Sequence, residues 1–424
     1  MSGDHTPGGK PANSKSAAPE PSAVTESAKR AARLRGPLVP SALLVVAVLL
    51  VAANLRPAVT GLGPVLDEVR AGLGMPAGLV SVLTALPTIC FGAVGFLAPP
   101  LTRRVGVARA IGIAVALLTV GVLVRAISGS TVLLLGTLLA GGGIAVCNVL
   151  LPVVVKESYG HRIGLITGLY TAVLQGVAAL SSAVATPLAS SFGGWRFSLS
   201  FWAIPAALGF VLWLIAARHH KNPLPGPDPN LPAPANARMF HRPFAWLVTV
   251  FFGLQAMSAY ALMGWLPQVL MAAGIGRGTA GVMMALCSLL GVPISLIIVP
   301  IAARARSQSV WTAGICAVGV IGVVGILVAP GAAPWLWVLC IGIGMGVFAL
   351  GVALISLRSS SAADTRALST MTQSVGYLIA ALGPLGFGLL HSITGGWTVS
   401  LFALLAILVA EVVIGWFVGR ARYV

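Results

Sequence analysis

Apolar runs of about 20 residues recur along this 424-residue chain, and nothing constrains its fold more. A run of that length matches a helix crossing the hydrocarbon core of a bilayer. Helices are favoured there because each backbone polar group is satisfied within its own segment. Twelve spans are expected, at 38–60, 76–98, 107–127, 130–154, 163–188, 196–217, 244–271, 279–302, 309–329, 334–357, 366–390 and 396–418. Hydrophobic residues make up 58% of the chain and charged residues only 8%, against about 25% charged in soluble domains. The fold class expected is an all-α polytopic membrane protein. The lipid bilayer is its first partner.

The net charge of +17 would suggest nucleic acid in a soluble protein. Its distribution points elsewhere. With the N-terminus inside, all but five of the 26 Lys and Arg residues fall in cytoplasmic segments. The outside loops hold Arg70, Arg125, Arg196 and Arg277, and the remaining one is Arg56. That bias puts both termini in the cytoplasm and leaves nucleic acid no part. Residues 1–36, rich in Pro, Gly, Ser and Ala, read as a disordered cytoplasmic tail rather than a signal peptide. Residues 218–243 hold six prolines between Pro223 and Pro234 and read as a cytoplasmic linker. The expected domains are therefore two six-helix bundles, 37–217 and 244–424.

The halves echo each other. Gly193-Gly194-Trp195, with Ser198 and Leu199 beyond it, recurs as Gly395-Gly396-Trp397 with Ser400 and Leu401. Ala98-Pro99-Pro100 followed by Arg103 and Arg104 has a looser echo in Val299-Pro300 with Arg304 and Arg306. Duplicated six-span halves joined by a long linker resemble the major facilitator architecture, with two pseudo-symmetric bundles and substrate between them near the midplane. Closer motifs carry a narrower resemblance. Asn54-Leu55-Arg56-Pro57-Ala58, Leu83 to Pro87 with Cys90-Phe91-Gly92, and Asn148 to Pro152 ending in Lys156 fall in the first, second and fourth spans. Gly168-Leu169-Tyr170, Gly264-Trp265-Leu266-Pro267, and Gln373 to Tyr377 with Gly383-Pro384 follow in the fifth, seventh and eleventh. In that order they resemble the cyanate/2-nitroimidazole transporter family of the major facilitator superfamily. The resemblance implies secondary transport of a small solute across the plasma membrane. One departure from the superfamily is the loop after span two, where Pro99 and Pro100 precede Arg103-Arg104 without an acidic residue.

Arg56 is the leading site candidate, a fixed charge just past the entirely aliphatic run Ala42 to Ala53. A guanidinium at hydrocarbon depth costs roughly 2.5–3.5 kcal/mol on insertion scales and belongs in a protein interior or water-filled cavity. It would serve as counter-charge to an anionic or strongly dipolar solute. The structural alternative is an Arg that snorkels outward or pairs with carbonyls near Pro57, since an offset of about 18 residues places it in the outer half of the expected span. Pro57 should kink the helix, freeing a carbonyl for the Asn54 amide. Asn148, Tyr170, Gln175, Gln373 and Tyr377 are polar groups in otherwise apolar spans; each either lines a cavity or hydrogen-bonds a neighbouring helix. Tyr260 and Trp265 stand either at the outer mouth or in an ordinary aromatic belt. Lys156 and Arg358 are expected to anchor span ends at the cytoplasmic interface.

Glu411 is the carboxylate deepest inside a span, and with His391 it is a proton-coupling candidate; the alternative for Glu411 is a neutral residue bonded to a neighbour. The cysteines, Cys90, Cys147, Cys287, Cys316 and Cys340, show no metal-ligand spacing, so no metal or cofactor is expected. No loop collects the acids, His or Cys that a membrane enzyme or sensor would need. A proton-coupled multidrug antiporter is the other transport reading and calls for acidic residues in the cavity. The expectation is a transporter, functional as a monomer, for a compact anionic or polar solute.

Overall fold

Each expected apolar run forms a helix. The computed structural model describes residues 42–159, 163–219, 239–359 and 362–420. The tail before residue 37, most of the proline-rich linker, and the side chains of Lys156 and Arg366 lie outside the described residues. Among the described residues twelve helices are long and apolar enough to cross a membrane. They are α1 (Ala42–Leu73), α2 (Ala77–Gly95), α3 (Val107–Val124), α4 (Ser130–Tyr159), α5 (Gly168–Ser191), α6 (Trp195–Arg218), α7 (Pro243–Ala272), α8 (Arg277–Arg304), α9 (Ser309–Val328), α10 (Pro334–Ile355), α11 (Ala367–Thr394) and α12 (Thr398–Val418). Large apolar side chains such as Leu123, Leu382 and Val409 stand exposed on the outside. A soluble protein would hide most of such a belt; one embedded in lipid presents it.

The packing repeats six helices on. Within the first half α1 packs on α5 and α6, α2 on α4, and α3 on α4 and α6. Within the second, α7 packs on α11 and α12, α8 on α10, and α9 on α10 and α12. The principal contacts between halves obey the same exchange, α2 against α11 and α5 against α8. The duplicated Gly-Gly-Trp stretches show the repeat at atomic detail. Ser198 Oγ donates to the Ala185 carbonyl at 2.8 Å, and Ser400 Oγ donates to the Phe387 carbonyl at 2.8 Å, each reaching back 13 residues.

Three details differ from the sequence reading. The first span does not stop near residue 60 but continues to Leu73, where Gly74 ends it in the left-handed conformation (φ 60°). Arg56 therefore lies near the middle of a 32-residue span rather than in its outer half. Arg125, counted above as a loop charge, is fully buried. Arg358, read as an interface anchor, is also buried: its Nε donates to the Val418 carbonyl at 3.0 Å and its Nη2 to the Gly419 carbonyl at 2.8 Å. A cation on the last carbonyls of α12 satisfies groups that a helix end leaves open.

Candidate functional site

The site begins with a break in α1. Regular helix runs Ala42–Ala53, then Asn54 to Arg56 form a turn, and Pro57–Thr60, Gly63–Val65 and Leu66–Leu73 follow as short pieces. Two prolines without N–H groups and two glycines explain the interruption. Inside a membrane the freed carbonyls must find donors. Asn54 Nδ2 reaches the Leu50 carbonyl at 2.7 Å and the Pro205 carbonyl of α6 at 3.0 Å. Ser181 Oγ donates to Pro57 O at 3.3 Å, Arg125 Nη1 to Ala58 O at 2.8 Å, and Gln268 Nε2 to Gly63 O at 2.6 Å. Side chains from α5, from α7 and from Arg125 just past α3 thus hold the broken segment, and that segment carries Arg56.

Arg56 is 9% exposed and points to the second half of the chain, where its Nη1 donates to the Tyr260 hydroxyl at 2.7 Å. Its guanidinium carbon lies 5.7 Å from the Tyr260 ring centroid and 5.8 Å from that of Phe348, within cation–π range. Phe91 packs edge-on to Tyr260 and Tyr377, and Phe252 packs against Tyr377 and Phe348. Among the described residues no carboxylate pairs with Arg56. A guanidinium carries five donors in a planar fork. Beside it is a cavity of about 30 Å³, bounded also by Gln175, Ser288, Gly291 and Met345. Two further irregular helices meet there. The regular turns of α10 stop at Met345 and resume at Val347, and α8 makes a π-helical turn at Ile294–Ile298, just past Gly291.

Above the cavity, on the face that carries the loops after α1 and α7, the halves are fastened together. Arg277 pairs with Glu68, Ser182 Oγ donates to the Gly281 carbonyl at 3.2 Å, and Gln268 holds Gly63 as described. The backbones approach closely: a Cβ on Gly63 would sit 2.9 Å from the Met263 carbonyl oxygen, and one on Gly281 2.9 Å from that of Ser182.

Of the residues singled out in the sequence, Arg56, Tyr260 and Gln175 come together at the cavity, and Tyr377 joins through the aromatic contacts. Asn54 is spent on the α1 break. Trp265 donates to the Pro384 carbonyl at 2.8 Å, tying α7 to α11. Gln373 donates to Ser369 Oγ one turn back on its own helix at 2.8 Å. Asn148 and Tyr170 are half-buried and lie outside the cavity wall. His391 stacks on Trp397 with ring centroids 3.7 Å apart, some 20 Å along α11 from Tyr377 at 1.5 Å rise per residue. Glu411 is buried on α12 with the Cys316 thiol donating to its Oε2 at 3.9 Å. Among the described residues no cluster of His, Cys, Asp or Glu suits a metal ion.

Arg125, Ser181, Gln268, Phe252, Ser288 and Phe348 also build the site and carry little signal in the sequence. The aromatics sit in apolar runs where a cavity wall and a core position look alike. Arg125 directly follows the apolar run of α3, where a loop charge and a buried one look alike in sequence.

The model of the Major Facilitator Superfamily matches residues 42–384. An uncharacterized transporter of Bacillus subtilis (strain 168), YycB, is 37% identical over 392 residues, spanning 90% of this chain and 94% of that protein. The 2-nitroimidazole transporter of Escherichia coli (strain K12) is 33% identical over 89% of this chain and 96% of its own length. The cyanate transport protein CynX of the same strain is 29% identical over 84% and 91%. Among solved structures, a bacterial homolog of the human lysosomal transporter Spinster, inward-facing and unoccupied, superposes with TM-score 0.73 at 14% identity over 91% of this chain and 98% of that one. A D-xylose–proton symporter gives 0.70 at 15% identity over 91% and 99%. Twelve spans, packing that repeats after six, and these likenesses agree: the chain belongs to the major facilitator superfamily and is a multi-pass plasma-membrane transporter of small solutes, not an enzyme.

Proposed function

We propose that this transporter moves a compact anionic or strongly polar solute, cyanate-like or a planar nitro compound, held between the halves at Arg56. The observation that carries the reading is a buried guanidinium at mid-span with no carboxylate partner among the described residues, flanked by aromatic rings and a small cavity. An uncompensated buried cation is costly. An anion or nitro group accepting its forked donors removes that cost and is recognised by it. Aromatic walls suit a flat solute. Gln175 and Tyr260 offer further donors, and Asn148, Tyr170, Gln373 and Tyr377 belong to the path rather than the grip.

In this reading the bundles 37–217 and 244–424 rock about the site, joined by the cytoplasmic linker 218–243, with both termini in the cytoplasm and one chain as the working unit. The face fastened by Glu68 and Arg277 is then the extracellular one, closed in this conformation. Relatives named for cyanate and 2-nitroimidazole support the solute class. Uptake and exchange of cyanate and of 2-nitroimidazole by proteoliposomes test it: Arg56→Ala should abolish transport of whichever is carried, and Arg56→Lys should retain part.

A further inference from the structure

Behind α7, on the side away from Arg56, lies a second buried polar cluster that solute binding does not use. Phe251 packs on Gly415 of α12, where an added Cβ would lie 2.9 Å from its ring. One helical turn along each of these antiparallel helices stand Gln255 and Glu411. From the other side Thr312 of α9 donates to the Gly415 carbonyl at 2.7 Å, and Cys316, one turn on, donates to Glu411. The Ser258 hydroxyl faces the same carboxyl while also donating to the Gln255 carbonyl at 2.9 Å. Glu411 and Gln255 are each 1% exposed. Glu411 Oε1 and both polar atoms of the Gln255 amide lack hydrogen-bond partners in this conformation.

We propose that Glu411 is a proton-carrying site and that its protonation is coupled to the position of α7. A carboxylate enclosed without a cation needs compensation. The neighbours bring an amide, a hydroxyl and a thiol, too few oxygens for a hard metal cation. A proton satisfies the site with no further ligand. Gln255 supplies what two protonation states require: its amide oxygen accepts from the neutral acid, and its NH₂ donates to the carboxylate. Protonation would therefore select which end of the Gln255 amide α7 turns toward α12, a bond that this conformation does not make. Two residues beyond Ser258 the same helix carries Tyr260, the partner of Arg56. The step is balanced: one proton enters from one aqueous face and leaves to the other.

Among the described residues few other groups bear on Glu411. The titratable neighbour on α9 is Cys316; on α7 the facing group is Ser258, with Gln255 in the adjoining register, neither of them titratable. From α11, His391 lies at the far end on Trp397. The proposal rests on membership of a transporter family and not on the anion reading.

Infrared difference titration of the purified protein, wild type against Glu411→Gln, tests it without a substrate. The wild type should show a protonated-carboxyl band that titrates with pH, and the variant should lack it. A band that never titrates, or an identical band in the variant, overturns the proposal. Thermal unfolding of the variant controls for folding; should it fail to fold, Gln255→Leu replaces it and should shift the wild-type midpoint, whereas an unmoved midpoint counts against the proposal. With a pH-sensitive dye in proteoliposomes and cyanate or 2-nitroimidazole as probe, the wild type should move protons with solute and Glu411→Gln at least tenfold less. Equal proton movement, or transport driven by sodium instead, contradicts it. Transport of neither probe counts against the anion reading alone, and the infrared titration then decides.

Discussion

Arg56 Nη1 donates to the Tyr260 hydroxyl at 2.7 Å, joining the broken first span to the seventh across the two halves of the molecule. The bond holds the guanidinium beside the cavity and, in the function proposed above, leaves its other donors for solute. A hydrogen bond to a charged group contributes roughly 1.5–3 kcal/mol. Tyr260→Phe should therefore lower apparent affinity by about tenfold or more, at roughly 1.4 kcal/mol per decade, with little loss of expression. Concentration dependence of uptake in proteoliposomes gives the number, and an unchanged half-saturation would separate Tyr260 from solute binding.

Arg125 fastens the other side of the same segment through Ala58 O. Removing it leaves a buried carbonyl unpaired, at a cost of about 1–3 kcal/mol. Arg125→Leu should lower the thermal midpoint in detergent and depress transport, and Ser181→Ala, which gives up a bond of 3.3 Å, should do less. Equal melting of Arg125→Leu and wild type would remove Arg125 from the scaffold.

Most of the architecture was legible in the residues. Twelve apolar runs became twelve helices because lipid admits few other solutions, and the Gly-Gly-Trp repeat reappeared as matched bonds from Ser198 and Ser400. Arg56 stood out because a charge in an aliphatic run is expensive. Its depth did not: the run looked finished at Thr60, and only tertiary donors such as Gln268, more than 200 positions away, keep the irregular stretch to Leu73 inside the membrane. Asn54, by contrast, looked like a site residue and serves the backbone. Phe348 and Phe252 had no periodic signature that set them apart from core.

The Glu68–Arg277 pair is partly exposed, with side chains 27% and 39% accessible. Surface pairs contribute about 0–1 kcal/mol. Glu68→Gln should thus change the rate less than about fivefold, and added salt should blunt even that. A total loss of transport would mean that the pair does more than fasten the two halves.

Gly281 tells a sharper story. A side chain there meets the Ser182 carbonyl, so Gly281→Leu should prevent closure of that face. Solute exchange should fall at least tenfold, while a cysteine placed near Gly63 gains reactivity to a water-soluble maleimide. Normal exchange with unchanged labelling would show that this approach is dispensable.

The most direct test of the account is solute counterflow in proteoliposomes preloaded with cyanate or 2-nitroimidazole, comparing wild type with Arg56→Ala at matched expression and thermal midpoint. The account predicts robust exchange of the carried solute by wild type and none above empty liposomes for the variant. Exchange by Arg56→Ala at the wild-type rate would contradict it.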